Sequence, residues 1–217
     1  MPAETHYNPD KDCNFCPRLK TFIDSNRQKY PDWHNAPVDT WVTKNGDHSV
    51  KLLIVGLAPG LKGANRTSRP FTGDFAGDLL YATLAKFKLA TGTYGGEVDD
   101  GLQLVDCAIT NAVRCVPPQN KPVGAEINQC RPFLQNTIAR FTNLRAIITL
   151  GKISHDSTVR TLGGKISHHP FGHEVEADVN GTKIISSYHC SRYNTNTGRL
   201  NEAMFENVFK RAIQSFE

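Results

Sequence analysis

Four short apolar runs punctuate the chain from residue 50 onward: Val50 to Val55, Leu104 to Thr110, Arg145 to Leu150 and Lys183 to Tyr188. Each is rich in Val, Ile or Leu and nearly continuous rather than alternating, which suits strands covered on both faces. Between and after them, apolar residues recur at helical spacing: Leu79, Leu80, Leu84 and Phe87, then Ile127, Cys130, Phe133, Leu134, Ile138 and Phe141, and finally Leu200, Met204, Phe205, Val208 and Ala212. This alternation predicts an α/β fold, a three-layer αβα sandwich around a central, mostly parallel four-stranded sheet. Residues 163 to 181 break the rhythm and predict a hairpin or an irregular excursion before the last strand. Residues 1 to 45, rich in Pro, Asp, Asn and Lys with one short helix over Pro17 to Lys29, read as an N-terminal arm of a single domain spanning 1 to 217.

The architecture carries a functional expectation of its own. In open α/β sheets, ligands bind beyond the carboxyl ends of the strands, where neighbouring loops converge. Those loops are Gly56 to Asp74, Asn111 to Arg114, Gly151, and His189 to Arg199. A glycine loop, an amide, a histidine and several arginines are therefore predicted to share one cleft. The first loop, GLAPGLKGANRTSRPFTGD, is glycine-rich yet fits neither phosphate template. Gly56 and Gly60 are four apart and Lys62 is followed by Gly63, so it is no P-loop, and no Gly-x-Gly-x-x-Gly can be read from it.

Composition narrows the field further. A net charge of +4 with 39% hydrophobic and 21% charged residues places the chain in the ordinary globular class and permits a nucleic-acid partner without requiring one. No apolar stretch approaches the roughly 20 residues that span a bilayer, and the opening MPAETHYNPDKD has no apolar h-region, so a cytoplasmic protein with no membrane partner is expected. There the six cysteines stay reduced, which favours metal ligation for any that cluster. Cys13-x-x-Cys16 alone can be a zinc half-site, a redox pair or chance, while Cys115 and Cys130 are 15 positions apart, too far for a ribbon-type zinc module. From spacing alone, zinc, an iron-sulfur cluster and ordinary buried thiols all stay open. Cys107, inside a strand run, reads as core. His168, His169 and His173 lie in the irregular segment and read as solvent-exposed loop residues rather than a metal site.

Taken together, GLAPGLKGANRTSRPFTGD, TNAVRCVPPQNKP followed by EINQCRPFL, and YHCSRYNTNTGRL resemble the signature blocks of the fifth, B-type family of the uracil-DNA glycosylase superfamily. With Cys13-x-x-Cys16, the resemblance runs from near the N-terminus to Leu200. It implies an αβα sandwich, a structural [4Fe-4S] cluster on Cys13, Cys16, Cys115 and Cys130, and hydrolytic removal of uracil and other deaminated or modified bases from double-stranded DNA by a monomer. Cys107 and Cys190 fall outside the cluster, and most relatives carry proline where this chain has Cys190.

Base excision breaks the bond between sugar C1′ and the base nitrogen, leaving the sugar cation-like and the base anion-like. The base must first be flipped from the duplex. Within the glycine loop, the backbone of Gly56, Leu57 and Ala58 can approach a base closely and offer amides to its carbonyl. By resemblance Phe71 stacks on the flipped ring, although a core phenylalanine is the plain alternative. Asn111 reads the imide edge by resemblance, against the alternative of a strand-end cap. His189 is assigned to hydrogen bonding with the departing base. Asp74 is the candidate carboxylate, but it also stands where an N-cap belongs, and capping would lower its pKa. It is therefore expected to act by its negative charge and by positioning water. Lys62, Arg66, Arg69, Ser191, Arg192, Tyr193 and Arg199 are expected at the DNA, with Arg192-Tyr193 as the wedge left in the duplex. Gly60 leaves open the place where strict uracil enzymes are bulky, so hypoxanthine, ethenocytosine and hydroxymethyluracil enter the expected substrate range. The rival reading is a non-catalytic, zinc-containing nucleic-acid-binding module.

Overall fold

The computed structural model describes residues 7 to 216; the first six residues of the expected arm and the last residue lie outside the described part. All four apolar runs form strands: β2 (Leu52–Gly56), β5 (Cys107–Asn111), β6 (Ala146–Leu150) and β8 (Thr182–Ser187). They are mutually parallel in the order β5, β2, β6, β8. The sheet nevertheless has six strands rather than the expected four. An antiparallel strand closes each edge: β1 (Trp41–Val42) beside β5, and β7 (Glu176–Val179) beside β8.

Both edge strands escaped the hydrophobic pattern for physical reasons. Only two residues long, β1 is too short to carry a period. Glu-Ala-Asp-Val in β7 is mostly exposed, as an edge strand tolerates. The β7–β8 hairpin turns through Asn180 and Gly181, both at positive φ (52° and 81°), the backbone that a tight primed turn requires. The run from Leu104 is also cut in two. Asp106, at φ 52°, kinks the chain, so that Gln103–Leu104 (β4) pairs with Ala90–Thr91 (β3) in a separate small sheet and β5 starts only at Cys107.

The central strands alternate their side chains between two cores. Leu52 and Ile54 of β2 face Leu80 and Leu84 of α3 (Phe75–Lys86) and Phe205 and Phe209 of α7 (Glu202–Ile213). Leu53 and Val55 point the opposite way, toward Leu134 of α4 (Gly124–Arg140). All five β2 residues are buried, which explains the continuous apolar run. Each Leu or Ile so buried contributes about 1.5–3 kcal/mol relative to exposure, enough for the two-sided sheet to anchor every loop that leaves it. Helix α1 (Pro17–Lys29) has the predicted bounds. Its Leu19 and Ile23 pack against Val113, Val116, Cys115 and Cys130, and Arg18 forms a two-pronged pair with Glu126 in the first turn of α4, both contacts at 2.7 Å.

Three helices were not foreseen: α2 (Ala64–Thr67), α5 (Lys152–Thr161) and α6 (Arg192–Asn196). Two are single turns, and the buried side of α5 is Ser, His and Thr with a single apolar residue, Val159, which leaves no apolar stripe for hydropathy to flag. Among the described residues no helix is long and apolar enough to cross a membrane.

Candidate active site and thiol pocket

At the carboxyl ends of the parallel strands lies a cavity of about 310 Å³, lined by Leu57, Ala58, Pro59, Gly60, Phe71, Asp74, Phe75, Asn111, Asn120, His189, Ser191 and Arg192, among others. Loops following β2, β5 and β8 thus converge as the topology requires. The volume is at the low end for ligand cavities, which suits one base with its sugar.

Gly56 is what lets this corner of the cavity form. A Cβ there would collide with Asn111 Oδ1 and come within 2.6 Å of Phe71 Cζ. Without a side chain, the strand end allows the Asn111 amide and the Phe71 ring to meet over the backbone. Asn111, the last residue of β5, is 3% exposed, and its amide makes no hydrogen bond among the described residues. A strand-end cap would show such a bond. The Asn111 amide lines the cavity and is left free to pair with a group that enters there. The backbone amides of Leu57 and Ala58 likewise donate to no described protein acceptor, whereas the Leu57 carbonyl accepts from Val113 N at 3.0 Å.

Phe71 combines both readings offered for it. It is 6% exposed and belongs to the main core, yet its ring forms a cavity wall, stacked 6.0 Å from the His189 ring at 28°. Its backbone has φ 55°, a conformation that costs a bulky residue about 1–3 kcal/mol and needs external support. The Tyr94 hydroxyl supplies part of it, donating to Phe71 O (3.3 Å) and accepting from Gly73 N (3.2 Å). Tyr81 donates its hydroxyl proton to Pro70 O. Gly77, in the first turn of α3, has no room for a Cβ against Phe71 O.

Arg69 completes this support, which corrects its expected place at the DNA. It is 6% exposed, donates to both Asp100 carboxylate oxygens (2.9 and 2.6 Å) and to Thr72 Oγ1 (2.7 Å), and lies over the rings of Trp41, Tyr81 and Tyr94. A phosphate cannot reach it without opening the core. Arg114, expected in the cleft, is also turned inward and fully buried.

Asp74 reconciles two roles that looked exclusive. One oxygen, Oδ1, caps α3 by accepting from Ala76 N at 3.1 Å. The other, Oδ2, accepts no hydrogen bond among the described residues and sits where the chain has been cleared of side chains. A Cβ on Gly63 would be 2.5 Å from it, and one on Gly60 3.1 Å. Capping was expected to lower the Asp74 pKa. Burial instead outweighs the backbone hydrogen bonds and raises it above the usual carboxylate value. His189 lies across the cavity, and its ring makes no hydrogen bond among the described residues. Its backbone carbonyl accepts from Asn194 Nδ2 at 2.8 Å, which fixes the loop after β8. Burial pulls the imidazole down to about 4, so it is neutral at pH 7.

Arg192 lines the cavity, and it, Lys62 and Arg199 are exposed, with Arg199 over the Tyr188 ring. Arg66 is held by Glu97 through two contacts of 2.8 and 3.1 Å. Ser191 caps α6, and Tyr193 beside it is 72% exposed, the most exposed of the described large hydrophobic residues. Asn120, in the PPQN turn at φ 56°, also lines the cavity; its role was not legible in the sequence, although asparagine is enriched at this backbone conformation. The irregular segment departs from expectation at His173. That ring is packed, with Nδ1 accepting from Tyr188 N at 3.2 Å and the plane stacked on Tyr188.

On the other side of β5, Cys13, Cys16, Cys115 and Cys130 line one small pocket with Phe15, Leu19, Val113 and Phe133. Burial pushes the Cys16 thiol up to about 11, with Cys130 and Cys13 adding to the rise, and it raises Cys115 and Cys130 as well. The apolar surroundings thus disfavour thiolates, and a bound cation would reverse that balance. The Arg114 backbone N–H donates to Cys130 Sγ at 3.3 Å. Four soft donors lining one pocket are the ligand chemistry of an iron-sulfur cluster, which spans more space than a single ion. Among the described residues no three His, Cys, Asp or Glu side chains converge on a single-ion site. Cys107 and Cys190 are buried in the main core, away from this pocket.

Comparison with known proteins decides the ancestry. The model of the uracil DNA glycosylase superfamily matches residues 43–213. The chain belongs to that superfamily. It is 36% identical over 204 residues to the type-5 uracil-DNA glycosylase of Thermus thermophilus, covering 92% of each chain. Similar type-5 enzymes are those of Mycobacterium tuberculosis, 37% identical over 92% of this chain and 76% of the relative, and Pyrobaculum aerophilum, 33% identical over 92% and 87%. The cavity lies at the carboxyl ends of the parallel strands, the edge where the sequence led the loops to be expected.

Proposed function

We infer that this glycosylase excises uracil from DNA by hydrolysing the N-glycosidic bond, with hypoxanthine and ethenocytosine as further substrates. One observation carries the reading: a buried, unpartnered Asn111 amide lies beside a ring and across one cavity from a carboxylate with a free oxygen. The amide offers a donor and an acceptor to the imide edge of a flipped base, and Phe71 gives it a face to stack on. As the bond lengthens, a neutral His189 donates a hydrogen bond to the base carbonyl, and Asp74 faces the cation-like sugar while Oδ2 holds the incoming water. Gly60, beside Asp74, keeps the cavity wide enough for a purine. Lys62, Arg66, Arg192, Ser191 and Arg199 engage the duplex backbone, and exposed Tyr193 fills the gap left by the flipped nucleotide.

Cys13, Cys16, Cys115 and Cys130 would hold a [4Fe-4S] cluster. It supplies a cross-link between the arm and α4 and takes no part in excision. The test is a panel of duplexes carrying U, T, hypoxanthine and ethenocytosine, run alongside iron and acid-labile sulfide analysis. Uracil excision by a brown protein with iron and sulfide is the expected result. A colourless zinc protein that binds but does not excise would restore the rival non-catalytic reading.

The pH profile is a separate prediction. With His189 at about 4, the excision rate shows no titration near pH 6.5 and falls only on the acidic side, where Asp74, its pKa raised, also takes up a proton. A rate that dropped as pH rose through 6.5 would mean that an imidazolium is required. Stability follows the same group. As pH falls from about 6.5 toward 4, the unfolded chain protonates this histidine and the folded chain does not, so stability declines in that window.

A further inference from the structure

We propose that Arg114 is the buried counter-charge of the four-thiolate site, a positioning residue that sets the charge balance of the cluster held there. The proposal rests on the four-cysteine reading above. Arg114 is 0% exposed and directly precedes Cys115. Its guanidinium donates from Nη1 to Thr40 Oγ1 (2.8 Å) and Asn8 Oδ1 (3.2 Å), and from Nη2 to Thr137 Oγ1 (2.8 Å). All three acceptors are neutral, and Nε is buried with no partner. None of the described ion pairs includes this arginine.

The contrast with Arg69 is direct, because that buried guanidinium has Asp100 at 2.6 Å. An arginine cannot escape burial by losing its proton, and an unpaired charge in the interior is strongly unfavourable. Two other cations near the thiol pocket are paired, Lys20 with Asp24 at 2.6 Å and Arg18 with Glu126 at 2.7 Å, while Arg131, next to Cys130, is partly exposed and donates to Asn128 Oδ1. Arg114 is tied directly to the thiol pocket, because its own backbone N–H donates at Cys130 Sγ. Asp39 also attracts the guanidinium, after Cys130, but forms no ion pair with it. Four thiolates around an iron-sulfur core would leave a net negative site that adds the larger counter-charge to this buried guanidinium. The hydroxyls of Thr40 and Thr137 then aim the cation rather than neutralise it.

The experiment uses the full chain isolated without oxygen, as wild type, Arg114→Gln and Arg114→Lys. Iron and sulfide per chain, the rate of iron release to a chelator, and the cluster midpoint potential are measured, with circular dichroism as the check of folding. Arg114→Gln is expected to release iron about 10- to 100-fold faster, the usual effect of losing an outer-shell partner, and to shift the potential negative, since one positive charge beside the acceptor is gone. Arg114→Lys is expected to restore most of both.

A folded Arg114→Gln with wild-type iron release and potential overturns the proposal. If Arg114→Gln does not accumulate as folded protein, Arg114→Lys and Thr137→Val decide. Both keep the charge, so both are expected to keep the cluster and its potential, and loss of the cluster from folded Arg114→Lys overturns the proposal. Absence of iron and sulfide from the wild type overturns the cluster reading itself, whereas a loaded wild type with a silent Arg114→Gln overturns only the role of this arginine.

Discussion

Replacing Asp74 by Asn lowers single-turnover uracil excision by about 10²- to 10³-fold, the range seen when one fixed electrostatic group is removed from a developing charge. The substitution is chosen because asparagine caps a helix as well as aspartate does. The bond from Ala76 N to Oδ1 can therefore persist, and α3 keeps its start. What disappears is the negative charge, together with the acceptor character of Oδ2, the oxygen that faces Gly60 and Gly63 without a described partner. Thermal stability near that of wild type, combined with a large loss of single-turnover rate, separates catalysis from capping. Activity within a few-fold of wild type would leave Asp74 as a cap alone.

Replacing Arg69 by Ala has the largest expected effect on stability, a loss of about 3–5 kcal/mol in urea unfolding, because Asp100 is left in the interior without its partner. The Asp100 side chain is only 6% exposed, and it also accepts from Gly95 N and Leu102 N. Removing both members, as Arg69→Met with Asp100→Leu, restores much of that loss, which a double-mutant cycle would show. The pH dependence provides a second check. Its hydrogen bonds with Arg69 hold the Asp100 carboxyl well below the usual range, so the pair stabilises fully above about pH 4 and progressively less as pH falls through the folded value. The variant lacks that acid-side loss. If Arg69 instead met phosphate, Arg69→Ala would weaken DNA binding and leave unfolding unchanged.

The two residues illustrate how far a sequence can be read. Asp74 was legible because its position before a helical pattern and at the end of a glycine loop are both local features. That its two oxygens divide the roles was not legible, since the clearance around Oδ2 depends on two glycines folded back from earlier in the loop. Arg69 was misread for a related reason. A basic residue in a loop at a sheet edge resembles its exposed neighbours Lys62 and Arg192, and nothing local says that Asp100, 31 positions on, will close over it. Burial, in turn, reversed the expected direction of the Asp74 pKa, because desolvation is a property of the packed site and capping a property of the segment.

By itself the sequence determined the four central strands, their α/β alternation, the helices carrying apolar stripes, and the end of the sheet where the chemistry gathers, because periodicity and strand order are local and topology follows from them. It also carried, in co-ordered motifs, the family to which the chain belongs. Only the tertiary structure decided which charges face solvent and which are sealed inside, that the sheet is closed by two further edge strands, that Gly56 lets Asn111 and Phe71 meet, and that four distant cysteines share one pocket. Those outcomes depend on contacts between residues far apart in the chain, and on the low-dielectric environment that only the finished packing creates.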